Sequence, residues 1–202
     1  MLKFGRVGMK IGVDVDEVVA KFFEGYLEFV SSKGIEVVPY DDVYNYKLWE
    51  VLDIEKDLAF NLALEYGMNH AFVNNEFVEG ARDGVLDLIR DHDVYFITAR
   101  PVEAIDLTRK FICGEFGVSE DRVIFSGESY GGSRDKYEIC RGLGIGMIVE
   151  DSDSDSLSYA ERGLDVVLLD KPWNRWVSHD NIYRCKDWND ILDKVGELVD
   201  GG

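Results

Sequence analysis

Residues 11–18 of the chain read IGVDVDEV, an apolar run of strand length that ends in two carboxylates, Asp14 and Asp16. Strand alternation alone places both on one face, although the chain can turn over the sheet edge where the strand ends. In open α/β sheets, ligands bind at the carboxyl ends of the strands. Two acids there repel each other unless a cation or a shared proton intervenes. The stretch therefore predicts either a ligand site or a strand end followed by a helix-capping aspartate.

Apolar runs of similar length recur along the chain and alternate with helical patterns. The expected strands are residues 9–15, 94–98, 122–125, 146–150 and 165–169, with a shorter run at 181–184. The expected helices are residues 81–90, 101–116, 134–143, 154–162 and 188–199. This alternation is typical of a parallel sheet covered by helices on both faces. We predict an α/β fold with a Rossmann-like, doubly wound parallel sheet.

Residues 21–79 break this rhythm. Apolar residues at helical spacing begin at Phe22, a turn-rich segment follows at 38–46, and a second helical pattern covers 54–66. We predict a small helical cap inserted above the carboxyl end of the sheet. The core domain would then comprise residues 1–20 and 80–202, with the cap at 21–79.

The composition narrows the classes of partner. The 202 residues carry a formal net charge of −18, which argues against nucleic acid polymers and anionic membranes. With 46% hydrophobic residues the chain can bury a core. Cys113, Cys140 and Cys185 are widely separated in the sequence, which fits reduced thiols better than a disulfide framework. No apolar stretch has the length of a membrane span. We expect a soluble, cytoplasmic protein, and the sequence leaves open whether it forms a homodimer.

A second polar strand end lies at residues 98–101. Thr98 closes an apolar run, and Pro101 fits the first position of the following helix. The Thr98 hydroxyl and the free N–H groups of Ala99 and Arg100 would form a phosphate cradle there. The alternative interpretation is that Thr98 only caps the helix.

Two further signals complete the pattern. Lys136 falls in the first turn of a predicted helix, where its charge opposes the helix dipole, as a functional lysine or a solvated surface lysine would. Glu150 and Asp151 end another strand, with Asp155 close behind. Carboxylates from neighbouring strand ends suit Mg²⁺, although an acidic helix start is the simpler explanation for Asp153.

In this order and spacing the motifs resemble those of the haloacid dehalogenase-like hydrolases. The resemblance implies that Asp14 is the nucleophile that forms an aspartyl-phosphate and that Asp16 is the general acid and base. It implies that Thr98, Ala99, Arg100 and Lys136 bind the phosphoryl group.

The same resemblance implies a Mg²⁺ cofactor. Asp14, the backbone carbonyl of Asp16 and Asp151 would hold the ion, and Glu150 and Asp155 would support the site without direct ligation. The presence of Asp16 points to phosphate esters within this superfamily. Glu17 is a departure, since many members have glycine at that position.

The cap resembles the first-type helical cap of the superfamily. The runs DVDEVVAKFFEGYLEF (14–29), ITARP (97–101) and LDKPWNR (169–175) also resemble the 5′(3′)-deoxyribonucleotidase branch and its uncharacterised prokaryotic relatives. The candidate substrate pocket comprises Phe22, Tyr46, Trp49 and Phe72, whose rings would stack on a base. The resemblance implies a phosphatase of a small phosphorylated metabolite, with a nucleoside 5′-monophosphate as the favoured substrate.

Two other functions compete with this one. A sugar- or polyol-phosphate phosphatase would use the same motifs. A receiver-like phospho-acceptor module also places acids, a threonine and a lysine at strand ends, but its phosphorylated aspartate follows a later strand and its chain is much shorter. Trp173 and Trp176 either close one side of the site or belong to a packed loop.

Overall fold

The computed structural model describes residues 8–126 and 135–201. Its strands are β1 (Lys10–Val13), β2 (Asp93–Thr98), β3 (Val123–Phe125), β4 (Met147–Glu150), β5 (Asp165–Leu169) and β6 (Ile182–Cys185). Within these ranges they form one parallel sheet in the order β3-β2-β1-β4-β5-β6. This is the order of a doubly wound sheet, in which the crevice opens between β1 and β4. The predicted fold class is confirmed.

Helices cover both faces of the sheet. They are α1 (Phe23–Ser32), α2 (Leu48–Val51), α3 (Lys56–Tyr66), α4 (Phe72–Asn74), α5 (Ala81–Asp91), α6 (Ile105–Phe116), α7 (Lys136–Leu143), α8 (Asp153–Glu161) and α9 (Trp188–Gly201). Apolar residues of α5, α6 and α9 pack on one face, and those of α7 and α8 pack on the other. In the part of the chain described, no helix has both the length and the apolar character to cross a membrane.

The boundaries of several elements differ from the predictions. β1 stops at Val13 because the chain then turns tightly, with the carbonyl of Val15 accepting from the N–H groups of Val19 and Ala20 at 2.9 Å each. Pro101 was expected at the first helical position and is extended instead, with ψ 165°; a 3₁₀ turn separates it from α6. The predicted helix start at Arg134 lies outside the described residues.

The insertion is helical, as predicted, and begins and ends side by side. The N–H of Lys21 donates to the carbonyl of Glu76 at 2.8 Å. The apolar core of the insertion includes Phe23 and Tyr26 and shares Trp173, which follows β5. The insertion therefore lies over the carboxyl end of the sheet, while the division into domains at 21–79 stays a prediction.

A glycine sets the distance between α5 and α9. A Cβ atom on Gly84 would overlap the indole ring of Trp188, which is 1% exposed. The Trp188 Nε1–H donates to the carbonyl of Val18 at 3.0 Å, in the turn that follows β1. The close approach at Gly84 thus places α9 where it supports the loop that carries the first acids.

We expect Gly84→Ala to destabilise the protein by roughly 1–3 kcal/mol, because overlap with Trp188 outweighs the gain in helix propensity. Gly114→Ala is the matched control, since its helical position has nothing within 4 Å of the added atom. This control should stabilise by up to about 1 kcal/mol. Urea unfolding measures both; equal effects of the two substitutions would contradict the packing argument.

Candidate active site

Three buried carboxylates meet where β1 and β4 end. Asp14 follows β1, and its N–H donates to the carbonyl of Val149 at 3.0 Å; Glu150 ends β4, and Asp151 follows it. One oxygen from each of the three lies within 4.8 Å of the others. Their exposed fractions are 3%, 0% and 0%. Parallel pairing of β1 with β4 therefore concentrates negative charge away from water.

Lys136 is the cation at the centre of this cluster. Its Nζ lies 2.8 Å from Asp14 Oδ1, 3.5 Å from Glu150 Oε2 and 3.2 Å from Asp155 Oδ2. It occupies the first turn of α7, as predicted, and is buried, so it is not a solvated surface lysine. Burial opposes its charge, but the surrounding acids, Asp14 first, outweigh burial and raise the pKa of the ammonium well above its usual value.

One lysine does not neutralise three acids. Burial raises the pKa of Asp14 to about 6 and that of Glu150 to about 8, against the lowering effect of Lys136. Burial and the charges of Glu150 and Asp14 raise the pKa of Asp151 well above its usual value. Such shifts mark a site that favours an added proton or cation.

Asp151 is held so that one oxygen stays free. Its Oδ2 accepts from the Trp173 Nε1–H at 3.1 Å, and its backbone carbonyl accepts from the Asn174 side chain at 2.8 Å. Its Oδ1 is buried and has no hydrogen-bond partner within the residues described. A buried, orphaned carboxylate oxygen beside two further acids fits a divalent cation ligand. Glu150 instead orients the strand end, because its Oε1 accepts from the N–H groups of Asp151 and Ser152 at 3.1 and 3.2 Å.

Asp16 lies apart from this cluster, in the turn after β1. Its side chain is 20% exposed, and Arg100 donates to both of its oxygens, with Nε at 3.0 Å from Oδ2 and Nη2 at 2.8 Å from Oδ1. The Arg100 N–H was predicted to be free to bind phosphate; in this structure it donates to the Thr98 hydroxyl oxygen at 3.1 Å, and the guanidinium engages Asp16. Its phosphate role stays a prediction.

The end of β2 carries a hydroxyl group that could donate to a ligand. Thr98 is 1% exposed, and its hydroxyl oxygen accepts from the Arg100 N–H at 3.1 Å, so the hydroxyl proton remains available to an anion. Ala99 is exposed. At this edge of the sheet, Ala99 is thus exposed while Thr98 beside it is buried.

Glu17 fastens the insertion to the core. It has φ 63°, in the left-handed region that favours glycine. Its Oε1 accepts from the N–H groups of Phe22 and Phe23 at 2.7 and 2.6 Å, at the start of α1. Its Oε2 accepts from Tyr40 OH at 3.0 Å and from Lys171 Nζ at 2.9 Å. With glutamate in place of glycine, the chain adopts a less favourable backbone conformation at residue 17, and the side chain accepts four hydrogen bonds.

The candidate pocket aromatics divide into two groups. The Tyr46 ring lies 5.3 Å from Phe23, and burial together with the charges of Asp151 and Asp14 raises its phenol pKa well above the usual value. Trp49 instead pairs with Phe60 at 5.6 Å. Of these, Tyr46 is the one in the electrostatic field of the acid cluster.

The other two candidates belong to packed interior. Phe22 stacks on Phe72 at 5.8 Å, and the Phe72 ring lies 4.3 Å from the guanidinium carbon of Arg100. Trp173 is fully buried, whereas Trp176 is 63% exposed. Trp173 therefore belongs to a packed loop, as one of the two interpretations held.

Sequence reasoning missed the roles of Lys171, Asn174 and Asn75. The first two lie in the run LDKPWNR, which was noted only for its resemblance to relatives. A proline followed by tryptophan and asparagine after a buried strand was the available signal. Asn75 gave none, since its contact with Arg100 joins distant segments.

The carboxylate cluster predicts a pH dependence of stability in protein freed of metal with EDTA. Glu150 titrates near 4.5 when unfolded and near 8 when folded, so folding favours its protonated form. That stabilisation is complete below about pH 4.5 and is lost as the pH rises through 8. We expect the free energy of unfolding to fall by at least about 1 kcal/mol between pH 5 and pH 8.

Urea unfolding at the two pH values measures this change. Glu150→Gln should flatten the dependence, while the exposed control Glu161→Gln should leave it unchanged. Equal slopes in the parent protein and Glu150→Gln would refute the assignment.

A second prediction concerns Glu17 and Lys171, whose side chains are 3% and 12% exposed. Glu17→Gln leaves a buried ammonium unpaired and should cost about 3 kcal/mol. Glu17→Gln with Lys171→Met should cost less than the sum of the two single changes, because both charges are then gone. The exposed pair Lys33–Glu65 supplies the control, and Glu65→Gln should cost under about 1 kcal/mol. Equal losses for Glu17→Gln and Glu65→Gln in urea unfolding would contradict the role of Glu17.

Comparisons with known proteins agree with this geometry. No protein-family model matches the sequence. Two bacterial relatives are both named "Putative nucleotidase". YqfW of Bacillus subtilis is 25% identical over 186 residues, covering 89% of this chain and 90% of its own. BH1399 of Halalkalibacterium halodurans is 22% identical over 195 residues, covering 96% of each.

A solved structure shares the fold. The haloacid dehalogenase-like family protein SP0104 from Streptococcus pneumoniae superposes with a TM-score of 0.64 at 11% identity, over 93% of this chain and 98% of that one. The sequence and structure comparisons together support the predicted enzyme class, a phosphatase of this fold. The chain has the fold of this haloacid dehalogenase-like protein, as the resemblance of its motifs implied.

Proposed function

We propose that the chain is a Mg²⁺-dependent phosphomonoesterase that acts through an aspartyl-phosphate on Asp14, with a nucleoside 5′-monophosphate as substrate. The observation that carries the proposal is the placement of the Asp14 carboxylate. It lies 2.8 Å from Lys136 Nζ and within 4.8 Å of carboxylate oxygens of Glu150 and Asp151. A carboxylate with a cation on one side and a metal-binding group on the other is suited to attack an anionic phosphoryl group.

The donor set fits magnesium. Asp14, Asp151 with its orphaned Oδ1, and the backbone carbonyl of Asp16 would hold the ion, and all are oxygen ligands of the kind that Mg²⁺ prefers. Bound Mg²⁺ would supply positive charge that offsets the phosphoryl oxygens. Glu150 and Asp155 hold Lys136 and so support the site from outside.

The reaction proceeds in two displacements. An Asp14 oxygen attacks phosphorus, the ester P–O bond breaks, and the alcohol leaves with a proton from Asp16. Asp16 then takes a proton from water, whose oxygen attacks phosphorus, releasing inorganic phosphate and restoring Asp14. The Thr98 hydroxyl, the Ala99 N–H and Lys136 would donate to the phosphoryl oxygens throughout.

The substrate class rests on two supports. Both relatives above carry nucleotidase in their names. The Tyr46 ring lies 6.4 Å from that of Trp173, which donates to Asp151, and the charges of Asp151 and Asp14 help to raise the phenol pKa of Tyr46. A ring at that point suits contact with a sugar or base.

Activity is tested first with a nucleoside monophosphate and release of inorganic phosphate. Asp14→Asn should lower the rate by at least about a thousandfold, because the nucleophile is lost. EDTA should abolish activity, and Mg²⁺ should restore it. The exposed control Asp41→Asn should match the parent. Activity that survives both Asp14→Asn and EDTA would overturn the mechanism.

A panel of ribo- and deoxyribonucleoside 5′-monophosphates and of sugar and polyol phosphates tests the substrate class. We expect kcat/KM to be highest for a nucleotide. Hydrolysis of sugar or polyol phosphates without hydrolysis of nucleotides would overturn the substrate assignment and leave the phosphatase mechanism in place.

A further inference from the structure

Arg100 binds Asp16 through a buried contact in which two guanidinium nitrogens donate to the carboxylate. Its side chain is 1% exposed, and Nε and Nη2 reach both oxygens of the Asp16 carboxylate at 2.8–3.1 Å. A planar guanidinium that grips both oxygens fixes the direction of a carboxylate as well as its position. A single ammonium cannot do the same.

The remaining side of the guanidinium is fixed by other elements. Nη1 donates to Asn75 Oδ1 at 3.2 Å and to Thr108 Oγ1 at 3.3 Å, and the ring of Phe72 lies 4.3 Å from Cζ. Thr108 belongs to α6, while Phe72 and Asn75 belong to the end of the insertion. Arg100 therefore joins Asp16, the core and the exit of the insertion.

Asn75 is itself prepared for this contact. It has φ 44°, in the left-handed region, and its Nδ2–H donates to the carbonyl of Phe72 at 2.6 Å. Its amide oxygen is thereby turned toward Arg100. A backbone conformation of this kind is retained where the surroundings over-determine it.

We propose that Arg100 is a positioning residue that aims the Asp16 carboxylate at the leaving oxygen and at the attacking water, with Asn75 of the insertion as the partner that orients Arg100. The inference rests on the proposed function, since it assigns Asp16 the proton transfers. It differs from a phosphate-binding role for Arg100, because each of the three guanidinium nitrogens already donates to Asp16, Asn75 or Thr108. The geometry makes proton transfer depend on a contact supplied by the insertion.

Two esters with different leaving groups test the inference. An alkyl phosphate needs its leaving oxygen protonated, whereas dinitrophenyl phosphate expels a stable phenolate without an acid. The variants are Arg100→Lys, which keeps the charge, and Asn75→Gly, which keeps the left-handed backbone and removes the amide. Asn74→Gly, at an exposed neighbouring position, is the matched control.

The inference predicts a specific kinetic pattern. Arg100→Lys should lower kcat for the alkyl ester by roughly 10- to 100-fold with KM little changed, because acid catalysis is impaired. With dinitrophenyl phosphate the first turnover should keep the parent rate, followed by a slow steady state as the aspartyl-phosphate waits for Asp16 to activate water. Asn75→Gly should show the same pattern more weakly, and Asn74→Gly should match the parent.

Other outcomes overturn the inference. A raised KM and weaker inhibition by inorganic phosphate, with both esters slowed alike in the first turnover, would make Arg100 a phosphate ligand. Loss of thermal stability with equal loss on both esters would make the contact purely structural; if Arg100→Lys does not fold, Asn75→Gly gives the same discrimination. A parent protein that hydrolyses neither ester, nor any nucleoside 5′-monophosphate, would instead refute the proposed function.

Discussion

The imbalance between three buried carboxylates and one buried ammonium dominates this molecule. Pairing of β1 with β4 forces Asp14 against Glu150 and Asp151, and Lys136 reaches the first two directly. Removing such charges from water is costly unless they are paired. Burial raises the pKa of Asp14 and Glu150, so the fold holds its site in a state that a cation or a proton relieves. The surrounding loops are best understood as supports for that state.

The turn after β1 carries this support into the insertion. Two consecutive acids each take a cation from a distant segment: Asp16 pairs with Arg100, and Glu17 pairs with Lys171. Arg100 contacts the exit of the insertion through Asn75, and Glu17 binds its entry through two N–H groups at the start of α1. Both ends of the insertion are thus tied within three residues of the proposed nucleophile, Asp14. An insertion attached in this way can transmit its own geometry to the reacting groups.

The sequence predicted what depends on local pattern. Strand ends, the burial of their apolar runs and the position of Lys136 in the first turn of α7 follow from periodicity and turn chemistry, and they suffice to place the acids on one edge of the sheet. The contacts of Arg100 with Asp16 could not be read in this way, because they join residues 84 positions apart. Glu17 is similar, since its unfavourable φ is explained only by partners at residues 40 and 171. Pro101 does not start a helix, because its backbone is extended and a 3₁₀ turn lies between it and α6.

The net charge of −18 and an anionic substrate are compatible because electrostatic fields in salt water are short-ranged. Exposed charges are screened within about 8 Å at physiological ionic strength, whereas buried charges are screened far less. An anion at the proposed site therefore responds to the buried groups, Lys136, the three acids and any cation bound among them, more than to the distant surface acids. The same surface repels polyanions, because a polyanion approaches many surface acids at once. With a cation bound among the three buried acids, the proposed site would therefore favour a small phosphate monoester over a polyanion.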